Sequence, residues 1–304
     1  MTPDEPLQLG LEGMPRRLFA CTPSRLQTWL DCPRRYRMTY VERPSTPRGQ
    51  AWAHTTVGAA VHVALARWWS SPPGRRSPAG ARTLLERAWP QHGAVPDGFA
   101  DAEQSARWRQ RSAAMVERYV AALDPDDEPL GVERTVSTRT DGLVLSGRVD
   151  RIDLRDGELV VVDYKTGRRP PEQDDASGSL ALALYALAAA RALRRRCRRV
   201  ELHHLPTGRV AAFDHTDASL AGHLGRAEAA AVEAADAAAA LAAGGDVDVL
   251  FPPRTSAGCA WCDHLRACPA GRAAAGPPRR PWDGLPDERA APDAAARGGS
   301  PASG

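Results

Sequence analysis

Ser146-Gly147-Arg148-Val149-Asp150-Arg151-Ile152-Asp153-Leu154-Arg155-Asp156-Gly157-Glu158-Leu159-Val160-Val161-Val162-Asp163-Tyr164-Lys165-Thr166-Gly167 is the stretch on which the fold turns. Asp156-Gly157 between two β-rich runs is a two-residue hairpin signal. With that pair as the loop, Arg155 faces Glu158, Leu154 faces Leu159 and Ile152 faces Val161. Asp150 then faces Asp163, and Arg148 faces Lys165. Side chains alternate along strands, so all these pairs share one sheet face. Two apolar pairs belong to a core, and two carboxylates follow them directly opposed.

Opposed Cβ atoms lie about 4.5–5.5 Å apart, where like charges repel. A divalent cation offsets that repulsion, since Mg²⁺ takes one or two carboxylates together with waters and phosphate oxygens. Lys165 projects to the same face and is positioned to orient a water or stabilise phosphate charge. The alternative is a salt-bridged strand end, Asp163 with Lys165 or Arg148.

Working outward, Lys165 is the only lysine: of 40 Lys and Arg residues, 39 are Arg, and the chain has no Asn and one Ile, Ile152. Arg retains the charge but is a wide planar fork, whereas Lys is a compact ammonium that approaches a single oxygen. The net charge of +3 is too small to imply a partner. The local clusters Arg34-Arg35-Tyr36-Arg37, Arg194-Arg195-Arg196 and Arg198-Arg199 are candidate phosphate contacts or solvated helix faces. No apolar run approaches the roughly 18 residues of a membrane span. A signal-peptide pattern is absent too, so a cytoplasmic protein without membrane association is expected.

Residues 1–20 are polar and Pro-rich and read as a disordered tail, as does everything from 273 to 304. A helix is expected from an N-cap at Thr22 or Ser24, and another over Val57–Ser70. Helical patterns over 81–90 and 102–123 form an insertion at about 71–128. Strands occupy 130–165, an Ala/Leu-rich helix 178–196, two strands 199–205 and 209–214, and a long helix 217–243. This order predicts an α/β domain over 21–272.

At this point the residues carry a resemblance. Gly147-Arg-Val-Asp150-Arg-Ile-Asp153 followed by Val162-Asp163-Tyr164-Lys165-Thr166-Gly167 resembles the PD-(D/E)XK nuclease superfamily, in particular its RecB/AddB-type iron–sulfur branch. The resemblance implies a restriction-endonuclease-like core, a mixed central β-sheet flanked by helices, with helical insertions. It also implies a metal-dependent DNA nuclease, an exonuclease in DNA repair or recombination, with Asp150, Asp163, Lys165 and Tyr185 catalytic. Gly58-Ala-Ala-Val-His62 matches a G-x-x-x-H helix, so Mg²⁺ or Mn²⁺ would be held by His62, Asp150, Asp163 and the Tyr164 backbone carbonyl. Tyr185 matches a Q-x-x-x-Y helix, but Ala181 stands where the family has Gln. That departure motivates the alternative of a catalytically weak or inactive DNA-binding or assembly module.

Cys259-x2-Cys262-x5-Cys268 near the C-terminus, with Cys32 near the other end, suggests metal-binding thiols rather than a disulfide frame. By resemblance these four hold a 4Fe–4S cluster, an iron–sulfur staple joining the N- and C-terminal segments. Structural Zn²⁺ on the same thiols is the alternative. Cys21 and Cys197 read as buried small residues. Ser24, Arg34 and Arg35, in the segment around Cys32, are candidate DNA contacts. The expected partner is DNA, single-stranded or with free ends. A Walker A loop needs Gly-Lys-Ser/Thr, which the single lysine excludes here, so unwinding would fall to a separate helicase.

Overall fold

The computed structural model describes residues 19–49, 51–90, 98–140, 142–277 and 279–285. The chain opens with β1 (Phe19–Cys21), α1 (Pro23–Asp31) and α2 (Pro33–Tyr36), followed by α3 (Ala53–Trp69), α4 (Pro78–Ala88) and α5 (Ala102–Ala121). Three strands come next: β2 (Gly131–Arg139), β3 (Leu143–Arg155) and β4 (Glu158–Lys165). After them run α6 (Gln173–Ser177), α7 (Leu180–Leu193), β5 (Cys197–His204), β6 (Arg209–Asp214), α8 (Asp217–Ala242), α9 (Val247–Leu250) and α10 (Pro269–Ala274).

The expected hairpin forms with its expected register: Arg155 pairs with Glu158, Leu154 with Leu159 and Ile152 with Val161. Asp156 and Gly157 have φ of 51° and 81°, the left-handed conformations of a type I′ turn whose twist matches the strands. Parallel pairing of β4 with β5 and antiparallel pairing of β5 with β6 complete a mixed sheet. Along one edge of β3 runs β2, antiparallel. The other edge is shared: β1 pairs with Leu143–Leu145 and β4 with Arg151–Arg155. Between them, residues 146–150 have no ladder partner on that side. This notch positions the site.

Helices cover both faces. One core joins the sheet to α1, α7 and α8 through Leu26, Trp29, Leu145, Ile152, Val161, Leu182 and Phe251. The other packs α3, α4 and α5 against Val160, Val162 and Tyr164, with Val57, Leu65, Trp68 and Leu85 at its centre. Thr22 caps α1, its hydroxyl accepting from the Arg25 N–H. No helix among the described residues is long and apolar enough to cross a membrane.

Two boundaries differ from expectation. Phe19 and Ala20, read as tail, pair with Leu143 and Val144. The segment after 273, read as disordered from its Pro/Gly/Ala/Arg content, docks as far as residue 285. Ala53 N–H donates to Pro281 O, Leu285 is buried, and Arg168 donates to Leu285 O. Two apolar anchors, Trp282 and Leu285, suffice to seat it on the α3 core; average composition hides so few residues. Residues 1–18 and 286–304 lie outside the described part.

Candidate active site

At Arg151–Val162 the β3–β4 ladder ends. One residue further, Asp150 does not exchange backbone hydrogen bonds with Asp163. Instead its Oδ2 accepts the Tyr164 N–H at 2.9 Å. A side chain replaces a backbone partner, and the strands part around the two carboxylates.

From α3, His62 reaches into this opening, with Nδ1 3.2 Å from Asp150 Oδ1 and Nε2 3.2 Å from Tyr164 O. Both ring nitrogens therefore face acceptor oxygens. A neutral imidazole has one proton, so one approach sets lone pair against lone pair. A second proton or a cation removes that repulsion. Burial disfavours the charged ring, but the hydrogen bond it donates to Asp150 and the charges of Asp150, Asp163 and Glu133 outweigh it and raise the His62 pKa.

Asp163, on β4, has Lys165 Nζ 2.7 Å from its Oδ2. Among the described residues the Lys165 ammonium is the partner of this buried oxygen. Burial and the Asp150 charge raise the Asp163 pKa against the pull of Lys165 and His62. Lys165 itself is about half exposed, available to a ligand in the opening.

Sequence reasoning missed Glu133. His62, Glu133 and Asp150 each offer one ligand atom within 4.8 Å of the others, and Asp163 stands just outside that set. Glu133 lies in β2 opposite Asp150, between the paired positions Val132–Arg151 and Arg134–Val149. Its φ of 46° is left-handed, an uncommon conformation for a residue with a side chain and one that concentrates at functional sites. The turn dipeptide Asp141-Gly142 in the sequence was the available signal, since a two-residue loop there would oppose Glu133 to Asp150. The left-handed kink had no signal. Burial and Asp150 raise the Glu133 pKa, offset by Arg148 and His62.

Arg148 does not face Lys165 as expected. It turns to the β2 side, with Nε 2.7 Å from Glu133 Oε2, and remains 70% exposed. Because β4 has left the ladder by this point, Glu133 is the nearer carboxylate.

Tyr185 reaches the site from α7. A Cβ at Gly147 would lie 2.5 Å from its ring and 3.2 Å from Pro23 Cδ, so only glycine allows β3 to pass beneath the tyrosine. Burial raises the Tyr185 pKa, as do the Asp163 and Asp150 charges. Ala181 stands one turn earlier on the same helix.

A second cluster is formed by the thiols. Cys32, Cys259, Cys262 and Cys268 line one cavity of about 220 Å³, and all are free. Backbone N–H groups of Arg254, Ser256 and Gly271 donate to the sulfurs of Cys32, Cys259 and Cys268 at 3.5, 3.5 and 3.3 Å. Among the described residues, no three of these sulfurs lie within 4.8 Å of one another. Tetrahedral zinc with bonds near 2.3 Å would draw them to about 3.8 Å. Four thiols around one cavity are a donor set suited to a metal centre. Cys21 and Cys197 are buried with pKa values pushed up by burial to about 11 and about 12, inert thiols as expected.

The candidate DNA contacts divide. Ser24 is exposed at the start of α1, its hydroxyl 2.9 Å from that of Thr22. Arg34 is held by Asp248 at 2.6 Å with a side chain only 14% exposed, and both it and Arg35 line the thiol cavity. Arg34 is thus spent on an ion pair beside the cysteines, where its charge also suits thiolate ligands.

Parted strands carrying carboxylates and a lysine, with an imidazole from a flanking helix, define a nuclease-type α/β fold. The model of the PD-(D/E)XK nuclease superfamily matches residues 20–269. This chain belongs to the PD-(D/E)XK nuclease superfamily. A similar solved structure is described as "Crystal structure of SSO0001", with 16% identity, covering 83% of this chain and 87% of that one at a TM-score of 0.36. No curated protein matches the sequence.

Proposed function

We propose that this protein is a divalent-metal-dependent deoxyribonuclease, an exonuclease acting on DNA that is single-stranded or carries free ends. The observation that carries the reading is the donor set at the parted end of β3 and β4. His62, Glu133 and Asp150 converge, and Asp163 stands beside them with Lys165 as its partner. His62, Asp150, Asp163 and the Tyr164 carbonyl, joined by Glu133, would hold Mg²⁺ or Mn²⁺. Such an ion, when bound, polarises a phosphoryl oxygen and lowers the pKa of a water. The Lys165 ammonium, fixed beside Asp163, stabilises negative charge developing on the phosphate. Tyr185 closes the α7 side of the opening and, with its pKa raised, remains a hydrogen-bond donor.

Wild-type protein should cut end-labelled oligonucleotides with Mg²⁺ or Mn²⁺, whereas Lys165→Ala and Asp163→Ala should not. If wild type is inert with both metals on single- and double-stranded substrates, the chain is a DNA-binding module of the same fold, in line with Ala181. Defined-polarity ends separate exonuclease from endonuclease action. We place the activity in DNA repair or recombination, beside a separate helicase, because the single lysine leaves no Walker A loop in this sequence.

We further propose a 4Fe–4S cluster on Cys32, Cys259, Cys262 and Cys268. Four free thiols around one cavity support it. The cluster would act as a structural staple between segments distant in sequence, where closing a long loop restricts the unfolded chain most. Anaerobically purified protein should carry about four iron and four sulfide per chain. Stoichiometric zinc instead would overturn the assignment.

A further inference from the structure

Across the cysteine-bearing lobe runs a groove that the reading above does not use. Two recesses of about 340 and 520 Å³ adjoin at Gly49, Trp52 and Asp263, which line both, and are described together as a channel. The first is rimmed by Arg266, Arg272 and Arg279, the second by Arg48. All four arginines are exposed. Most other arginine clusters in the molecule are tied to carboxylates, for example Arg155 and Arg199 to Glu201 or Arg82 to Glu117. Among the described residues, these four form no salt bridge. Asp263 is the one acidic residue lining the channel, and it is engaged: its Oδ1 accepts the Trp52 indole N–H at 3.3 Å, and its carbonyl accepts the Gly49 N–H.

Aromatic surface interleaves with this charge. Trp52 and Trp261 pack with ring centroids 5.1 Å apart, and the Arg279 guanidinium lies 5.4 Å from the Trp261 ring. Both indoles remain partly exposed. From Trp52 the channel follows the outer face of α3 along Thr55, Ala59 and Val63, and Val63 adjoins His62. The channel therefore runs along a neighbouring face of the helix that carries His62.

The geometry points to this channel as a track for a single-stranded nucleic-acid segment, its phosphates on Arg48, Arg266, Arg272 and Arg279 and a base against Trp52, which lines both recesses. Unpaired cations with accessible aromatic faces are the general means of holding a single strand without reading its sequence. The inference rests on the nuclease reading in one respect: it names the strand that reaches the site. A cluster of carboxylates repels a polyanion, so the cations that hold it must stand beside the centre and not within it. The cysteine lobe then has a second purpose, because Cys262 and Leu265 line both the thiol cavity and the channel.

The test is binding, measured without turnover by fluorescence anisotropy of a labelled 20-mer of deoxythymidine with Ca²⁺ in place of Mg²⁺. Arg48→Ala/Arg266→Ala/Arg279→Ala in the full chain should weaken binding roughly tenfold and lower the slope of log K against log salt by about 2, near 0.7 per lost single-strand contact. The single variants Arg48→Ala and Arg279→Ala, which leave every described ion pair intact, should each lower it by about 0.7. Unchanged affinity and slope in folded variants overturn the track. Equal losses for a blunt duplex, or equal displacement by polyglutamate, also overturn it, since the channel would then be a general polyanion surface. Wild-type hydrolysis of bis(4-nitrophenyl) phosphate with Mn²⁺ tests the metal centre separately. Inert wild type whose binding is lost in the variants leaves the track standing while the nuclease reading falls. Active wild type with unaffected variants has the opposite meaning.

Discussion

Two groups of charged side chains sit on neighbouring residues of the same strands and are treated oppositely. Beneath the α3–α5 layer, Glu201 is 3% exposed yet accepts from Arg155 at 2.8 and 3.2 Å, from Arg199 at 2.7 Å and from His203 at 2.8 Å. Asp153 takes both Arg151 and Arg155, while the His203 ring meets the Tyr119 hydroxyl. Burial alone would raise the Glu201 carboxyl, but the hydrogen bonds from His203, Arg155 and Arg199 hold it well below the usual carboxylate range. At the parted strand end the balance is reversed. Asp150, Asp163 and Glu133 gather with fewer donors each than Glu201 has, and the pKa values of Asp163 and Glu133 rise. The first group is complete without a ligand; the second, on the function proposed above, would be completed by a cation. Buried charge with surplus donors fixes structure, whereas buried charge short of donors marks a place where something binds.

Exchange of single charges breaks the comparison most sharply. Lys165→Ala should lower cleavage by roughly 10²–10³-fold, the cost of one preorganised charge at a reacting centre, with little change in thermal midpoint. Glu201→Gln should leave Arg155, Arg199 and His203 competing for a neutral amide and destabilise the fold by about 3–5 kcal/mol, read by urea unfolding. If Glu201→Gln is neutral and Lys165→Ala unfolds the protein, the two regions have been assigned the wrong way round.

Metal titration sharpens the same contrast. At a hundredfold excess over Kd, Mn²⁺ should stabilise the wild type by about 2.7 kcal/mol. Asp150→Asn and Glu133→Gln should lose most of that gain, and calorimetric melts with and without EDTA measure it. Glu201→Gln should keep it.

Acid provides a further separation. The Glu201 pKa is depressed on folding from an unfolded value near 4.3, so its contribution is fully present above about pH 4.3 and is lost as pH falls towards the folded value. Asp163 and Glu133, with raised values, contribute in the opposite direction: protonation favours the folded state as pH falls through their folded pKa values. Metal-free protein should therefore lose stability below pH 4.3 less steeply once Glu201→Gln removes its share. An unchanged slope in that variant would contradict the assignment.

The smallest effect concerns packing at the notch. Gly147→Ala should push the Tyr185 ring aside at a cost of about 1–3 kcal/mol, with a modest loss of cleavage that Tyr185→Phe does not reproduce in stability. Equal stability for Gly147→Ala and wild type would show that the ring moves freely.

Much of this was legible in the sequence because it is local. Asp156-Gly157 fixed the β3–β4 register through turn conformation, and that register put Asp150, Asp163 and Lys165 at one end of a hairpin. The family resemblance singled out His62, four residues after Gly58, and the spacing of the three C-terminal cysteines marked them as a group. What the hairpin rule could not show is that pairing stops one residue short of the carboxylates, because Asp150 spends its side chain on the Tyr164 N–H. Nor could it show that Arg148 turns to Glu133, or that Arg34 is occupied by Asp248. The docked segment at Trp282 and Leu285 was equally hidden, since two anchors do not alter composition.

The sequence by itself determined the class of fold, the hairpin and the chemical types gathered at the site, for these follow from turn geometry and alternation over neighbouring residues. Tertiary structure alone decided that Glu133 joins His62 and Asp150, since a left-handed residue at a register gap between β2 and β3 depends on how three strands share one edge. It alone also brought Arg48 and Trp52 beside Arg266 and Arg279, residues more than half the chain apart, whose proximity no local periodicity encodes.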